Sequence, residues 1–273
     1  MPTSLPGART HARLAWATLA GLVLLTLVVH RVGAGRPAAA VAFSYLTVAC
    51  VVAWAAALSY GDGVPLRALV GPVPRERRTW AWVALAVPLL VFSLTTLLGA
   101  LYLLSWVAPA FVAGVLPGPD DPALLAGRPL YLALDVAAAT VFGPMAEEVL
   151  FRGALLRRWS GRWGPRWGMV ASAALFAALH EAALGAFVFG VCMALLARHA
   201  GGLLVPMAAH VAHNALLQAG ERLAPGGDPV GTLAEFRAEA WPVALAAVPA
   251  TLLLLWLVRR LGDRVAPAVA PAG

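Results

Sequence analysis

One uninterrupted apolar stretch decides the fold: residues 81–107 read AWVALAVPLLVFSLTTLLGALYLLSWV. This stretch carries no charged side chain and exceeds the roughly 20 residues that an α-helix needs to cross a bilayer. Similar stretches recur along the 273-residue chain, in which 61% of the residues are hydrophobic and 12% are charged. A soluble domain carries about 25% charged residues. The sequence therefore predicts an all-α, polytopic membrane protein and disfavours a soluble enzyme.

The apolar stretches divide into about eight predicted transmembrane helices. We expect them at about 13–30, 38–60, 80–108, 129–157, 166–181, 184–199, 203–220 and 238–259. The first stretch could instead belong to a signal peptide, but an uncleaved first span is the preferred interpretation. We divide the chain into residues 1–127 with the first three helices, a candidate catalytic core at 128–220, and an outer loop with the last helix at 221–273.

The arginines predict the orientation of these helices. All 20 basic residues are Arg, and Arg is enriched on the cytoplasmic side of membrane proteins. With the N-terminus inside, 14 arginines fall in cytoplasmic segments and five in outer segments. This distribution predicts that both termini are cytoplasmic and that the protein lies in the cell membrane. It also makes the lipid bilayer, and not nucleic acid, the expected partner of the basic residues.

A small set of polar residues falls inside the predicted spans of the second half. A charged side chain in a bilayer costs about 2.5–3.5 kcal/mol on insertion scales, which makes each one a candidate for function. The set comprises Asp135, Glu147, Glu148, Arg152, His180, Glu181, His210, His213 and Asn214. Function is therefore expected in the fourth, fifth and seventh helices.

Helical spacing sorts these residues into groups. Arg152 follows Glu148 by four residues, so the two share a face and can pair. Glu147 points about 100° away and is left free to face a cavity. His210 and Asn214 are also four apart, and Phe176 precedes His180 by four, so that it can pack over the imidazole.

The residue types suit the activation of water. A carboxylate with a nearby His can deprotonate water and later return the proton to a leaving amine. A second His and an Asn can donate hydrogen bonds to a developing oxyanion. A divalent metal such as zinc, bound by Glu147, His180 and His210, is the other possibility. The complete His-Glu-x-x-His zinc motif is not formed at His180, because position 184 is Leu.

Three motifs in order resemble those of one family. Residues 147–152 read EEVLFR, residues 176–180 read FAALH, and residues 210–214 read HVAHN. They resemble the Glu-Glu-x-x-x-Arg, Phe-x-x-x-His and His-x-x-x-Asn motifs of the CAAX-protease and bacteriocin-processing family, whose eukaryotic members are prenyl-protein endopeptidases. The resemblance covers about residues 131–218. It implies an eight-helix fold with a cavity open toward the cytosol.

The resemblance also implies a role for each motif residue. Glu147 would activate water with His180 as its partner, while His210 and Asn214 would form the oxyanion site. Glu148, Arg152 and Phe176 would support this geometry. The family has been classed as metalloproteases, yet its arrangement also allows a metal-free glutamate mechanism.

The implied function is an intramembrane endopeptidase that acts on a hydrophobic or lipidated peptide or protein. Two alternatives are a proton-coupled transporter, which would also place carboxylates and His at mid-depth, and a catalytically idle immunity or scaffold protein of the same family. The roles of His213 and Asp135 are left open by the sequence.

Overall fold

The structure, a computed structural model, describes residues 36–115, 128–180, 182–223 and 232–262, together with Leu24 and Val28. These residues are helical throughout apart from short connections, and they include no strand, which confirms the all-α prediction. The helices are α1 (Pro37–Gly61), α2 (Leu66–Val70), α3 (Arg77–Val107), α4 (Pro109–Val115), α5 (Pro129–Trp163), α6 (Pro165–Ala178), α7 (Ala183–Ala200), α8 (Leu204–Leu223) and α9 (Leu233–Gly262).

Five of these helices, α1, α3, α5, α7 and α9, are long and apolar enough to cross a membrane. Of the other predicted spans, α6 has only 14 residues, and α8 has 20 residues but carries two His, an Asn and a Gln. The predicted first span at 13–30 and both termini lie outside the described residues, apart from helical Leu24 and Val28. The chain is thus a multi-pass membrane protein, while eight spans and cytoplasmic termini remain predictions.

The helices pack around one apolar core that lies beside the polar residues. Leu89 of α3, Leu150 of α5, Phe176 of α6 and Met193 of α7 are buried together in it. Helices α3 and α9 also pack along each other. Their outer faces expose Leu103, at 68% of its surface, and similar leucines of α9, as expected for helices that face lipid rather than water.

Helix α5 is not a regular α-helix around the predicted site. Residues Ala138–Phe142 and Val149–Leu155 form π-helical segments on either side of Gly143–Glu148. In them the amide of Gly143 donates to the carbonyl of Ala138 and the amide of Leu156 to that of Phe151, each five residues back. Pro144 has no amide hydrogen with which to continue the regular pattern. Such π-helical turns are frequent at functional sites.

A glycine allows α6 to fold back against the end of α5. A Cβ atom on Gly168 would lie 2.7 Å from the Cα of Ser160, which is backbone and cannot move aside easily. We expect Gly168→Ala to lower the free energy of unfolding by about 1–3 kcal/mol, as overpacking does elsewhere. The matched control is Gly161→Ala, where the added methyl group would meet nothing within 4 Å. Thermal unfolding in detergent measures both, and equal melting temperatures would contradict the steric argument.

Candidate active site

The neighbouring carboxylates of α5 lie in opposite environments. Glu148 is completely buried, whereas the Glu147 side chain retains 28% of its exposure and lines a cavity. This separation agrees with the roughly 100° that divides consecutive residues of a helix. Glu147 is therefore the carboxylate that a molecule in the cavity can reach.

Glu148 forms the centre of a buried polar cluster. Its Oε1 atom accepts a hydrogen bond from Nη1 of Arg152 at 2.9 Å and lies 2.9 Å from Nδ1 of His210. The Arg152 guanidinium also lies over the Phe176 ring, 4.5 Å from its centroid, and donates to the carbonyl of Gly190 at 3.5 Å. The expected Glu148–Arg152 pair is present, and it connects α5 to α8 through His210.

This contact determines which nitrogen of His210 carries its hydrogen. A carboxylate that is paired with Arg152 accepts hydrogen bonds only, so Nδ1 of His210 is the donor to Glu148. In the neutral ring Nε2 is then a bare lone pair. That atom lies 3.8 Å from Oε2 of Glu147. His210 is thus held between the two carboxylates, with one ring nitrogen toward each.

His180 reaches Glu147 from the other side. Helix α6 ends at Ala178, so His180 lies just after the helix. The predicted span 166–181, which placed His180 within the helix, was too long at this end. Its ring stacks on Phe176 at 4.1 Å between centroids. Its Nδ1 donates to the Phe176 carbonyl at 2.7 Å, because a carbonyl oxygen can only accept. Its Nε2 lies 4.0 Å from Oε2 of Glu147 and carries a lone pair in the neutral ring.

Three hydrogen-bond acceptors therefore converge: Oε2 of Glu147 and the two Nε2 atoms of His180 and His210. The distances of 3.8 and 4.0 Å are too long for direct hydrogen bonds. A polar separation of this size suits a bridging water, which can donate to the carboxylate and to an imidazole at the same time. The three acceptors and their spacing are therefore those of a site that binds a water molecule.

Asn214 and His213 lie on α8 beside this group and line the same cavity. Nδ2 of Asn214 donates to the carbonyl of Ala139 at 3.0 Å. Oδ1 of Asn214 lies 3.3 Å from Nδ1 of His213, which must be the donor because an amide oxygen only accepts. His213 therefore fixes the amide so that its NH₂ group faces Ala139. Asp135 does not line the cavity, but it accepts a hydrogen bond at 2.9 Å from Ser44, which does.

The cavity has a volume of about 730 Å³ and a mixed lining. Its polar end carries Glu147, both site histidines, His213 and Asn214, and the rest is largely apolar. The apolar wall includes Phe43, Leu90, Leu94, Leu97, Leu179 and Leu217. A volume of this size is typical of ligand pockets. The lining of the cavity suits an extended apolar molecule whose one polar bond lies beside Glu147.

The proposed metal ligands do not form a metal-binding group. Zinc sites need three or more protein ligands directed at one point about 2 Å away. Among the described residues, no three His, Cys, Asp or Glu side chains are arranged in this way. The metalloprotease prediction is therefore not supported by the side-chain geometry, although the donor types of Glu147, His180 and His210 are those that zinc accepts.

Residues 129–216 match a family model described as type II CAAX prenyl endopeptidase Rce1-like. This region, about a third of the chain, is similar to the Rce1-like family. The resemblance that the motifs indicated is thereby confirmed. The Rce1-like region begins at the first residue of α5 and ends within α8, and it contains all seven predicted site residues. Comparisons with curated proteins and with solved structures give no match.

Several contacts within the Rce1-like region could not be predicted from the sequence. Phe189 of α7 packs against the rings of both His210 and His213, with centroids 4.6 and 4.8 Å apart. The carbonyls of Ala139 and Gly190 accept hydrogen bonds from Asn214 and Arg152. Backbone acceptors have no signature in a sequence, and one phenylalanine in an apolar helix carries no positional signal.

Proposed function

We propose that the chain is an intramembrane endopeptidase that hydrolyses a peptide bond near the membrane in a hydrophobic or lipidated peptide or protein. The likeness of residues 129–216 to the Rce1-like family supports a CAAX-type peptidase. The observation that carries the proposal is the position of Glu147, whose Oε2 faces Nε2 of both His180 and His210 in a largely apolar cavity.

In the proposed reaction, a water between Glu147 and His180 is the nucleophile. Glu147 removes a proton from it as the water oxygen bonds to the carbonyl carbon of the substrate. The carbon–nitrogen bond then breaks, and the proton passes to the departing amine, with His180 as the second acid–base group. One water is consumed, and a carboxylic acid and an amine are formed.

His210 and Asn214 are proposed to stabilise the oxyanion of the tetrahedral intermediate. His210 can donate from Nε2 only when its ring is protonated at both nitrogens, and Glu148 would stabilise that imidazolium through Nδ1. Asn214 has a second amide hydrogen besides the one that Ala139 accepts. Donors fixed in a low-dielectric cavity are worth more than donors in water.

The apolar wall of the cavity can bind the hydrophobic or lipidated segment of a substrate. We place the site in the cell membrane with its opening toward the cytoplasm, in accord with the distribution of arginines. A direct test uses two quenched fluorescent peptides that differ only in a farnesyl group on one Cys near the C-terminus. Cleavage in H₂¹⁸O should place one heavy oxygen in the new carboxylate, detected by mass spectrometry. Purified protein that cleaves neither peptide, nor any apolar peptide of a diverse library, would contradict the proposal.

His180→Ala is expected to lower kcat by about 10²-fold or more, the usual contribution of an acid–base group. The fold should persist, because the His180 side chain is 36% exposed. His199→Ala is the matched control, since His199 packs against Trp82 and does not line the cavity. Turnover by His180→Ala equal to that of the control would remove His180 from the mechanism.

A metal assay separates the two forms of the mechanism. Protein is freed of metal with a chelator, its residual metal is measured, and single divalent ions are added back. Full activity of metal-free protein is expected when Glu147 acts directly. Loss of activity that one ion restores in proportion to its occupancy would establish the metal-dependent form instead.

A further inference from the structure

A second pocket lies where several helices end, and Arg152 of the buried Glu148–Arg152 pair is one of its lining residues. It has a volume of about 390 Å³ and shares no lining residue with the active-site cavity. Its walls come from the end of α5, the start of α6, the end of α7 and the turn before α8. The residues that matter for its chemistry are Arg157, Ser160, Arg198, Gly201 and Gly202.

The pocket has a fixed shape. The Leu203 amide donates to the Val70 carbonyl at 2.7 Å, which ties the turn before α8 to the end of α2. Gly201 adopts a left-handed conformation with φ of +66°. A Cβ on Gly202 would lie 2.7 Å from that same Val70 carbonyl oxygen, so glycine is required there. Leu69, Ala154, Leu203 and Met207 form a small buried cluster beneath.

The charge of the pocket is positive. Within the described part of the chain, Arg157 and Arg198 have no ion pair or hydrogen bond, unlike Arg158, which pairs with Asp62 at 3.4 Å. Arg198 is only partly exposed, so its charge is incompletely solvated. The N-terminal ends of α6 and α8 meet the C-terminal ends of α5 and α7 at the pocket, so its positive charge comes from the arginines and not from the helix ends. Among the described residues, no carboxylate lines the pocket.

The pocket lies where membrane-spanning helices end. The candidate spans Pro129–Trp163 and Ala183–Ala200 finish six residues after Arg157 and two residues after Arg198. Trp163 and Trp167 are exposed beside it, and exposed tryptophans mark the headgroup level of a bilayer. Basic pockets between transmembrane helices at this level bind anionic lipid headgroups.

We propose that this pocket binds a phosphate group, supplied by the headgroup of an anionic phospholipid. The guanidinium groups of Arg157 and Arg198 would hold the phosphate oxygens, and the Ser160 hydroxyl can donate a further hydrogen bond. The acyl chains of such a lipid would extend along the apolar faces of the neighbouring spans. The proposal rests on Arg157 and Arg198 and not on the proposed hydrolytic mechanism, although Arg152 lies between the pocket and Glu148.

Lipid retention tests the proposal. Purified protein is reconstituted in phosphatidylcholine bilayers with increasing phosphatidylglycerol, released, and examined by native mass spectrometry. The native protein should retain one phosphatidylglycerol in preference to phosphatidylcholine. R157Q/R198Q should weaken retention by about 100-fold, since a hydrogen bond from an arginine to a phosphate contributes roughly tenfold. R157K/R198K keeps both charges and should lose far less.

The matched control is R162Q/R259Q, which removes two positive charges from residues that do not line the pocket. It should change retention by less than about twofold. Equal weakening in both double variants would overturn the proposal, because it would indicate attraction by net charge alone. If R157Q/R198Q does not purify as a folded protein, the single variants should each show about a tenfold loss, and two unchanged single variants would overturn the proposal too.

A parallel arm distinguishes the source of the phosphate. The protein in pure phosphatidylcholine bilayers is titrated with soluble glycerol phosphate, and binding is measured by calorimetry. Weak binding of glycerol phosphate with strong retention of phosphatidylglycerol supports the lipid. Tight, arginine-dependent binding of glycerol phosphate without retention of phosphatidylglycerol would refute the lipid as the source while leaving a phosphate site.

Discussion

Glu147→Gln is expected to lower the rate of peptide hydrolysis by about 10²–10⁴-fold, the range that a general base contributes. The amide has the same shape as the carboxylate but cannot take a proton from water. Its NH₂ group also offers a donor at a position where the carboxylate accepts a hydrogen bond from the proposed water. The substitution would thus remove the base and one acceptor of the water. Initial rates on the farnesylated and unmodified peptides measure the effect.

The fold should tolerate this substitution. Within the described residues, Glu147 forms no hydrogen bond shorter than 3.5 Å, and its side chain is 28% exposed. Glu239→Gln is the matched control, because Glu239 is an exposed carboxylate of α9 and does not line the cavity. Glu147→Asp should retain a measurable part of the activity, since its carboxylate is withdrawn by one methylene group. Native-like turnover by folded Glu147→Gln would exclude Glu147 as the base and favour a different role for the cavity.

The long helices could be predicted because their signal is local. Residues 81–107 are apolar over a full membrane thickness, and no tertiary contact is needed to recognise this. The structure places a helix at Arg77–Val107, close to the predicted 80–108. The irregular parts were not predictable in the same way. The π-helical turns of α5 exchange one backbone hydrogen-bond pattern for another, and such a change leaves the hydropathy of the sequence unaltered.

The active site likewise contains one contact that could be predicted and one that could not. The Glu148–Arg152 pair follows from a spacing of four residues within one helix, and the structure contains it at 2.9 Å. The contact of His210 with Glu148 joins residues 62 positions apart. It depends on how α5 and α8 pack, for which one sequence has no signal. This contact changes the interpretation of His210, because it fixes the tautomer and directs Nε2 toward Glu147.

Glu148→Gln is expected to destabilise the protein by about 3–5 kcal/mol, the usual cost of leaving one member of a buried ion pair without its partner. The side chains of Arg152 and Glu148 are only 1% and 0% exposed, so water cannot solvate the Arg152 charge that is left without its partner. The remaining contacts of Arg152 are the face of Phe176 and a long hydrogen bond to Gly190. Arg152→Met should cost a similar amount, because the Glu148 carboxylate would then be buried with only His210 beside it.

The double variant Glu148→Met/Arg152→Met should recover most of this stability, because apolar residues of similar volume can replace a buried ion pair at little cost. Unfolding titrations in mixed detergent micelles compare the native protein, Glu148→Met, Arg152→Met and the double variant as a double-mutant cycle, and a coupling energy near zero would contradict the pairing. The double variant should remain nearly inactive despite its recovered fold. Without the carboxylate, Nδ1 of His210 loses its acceptor, and the ring is no longer held with Nε2 toward Glu147. A stable double variant with native turnover would show instead that the pair supports only the fold.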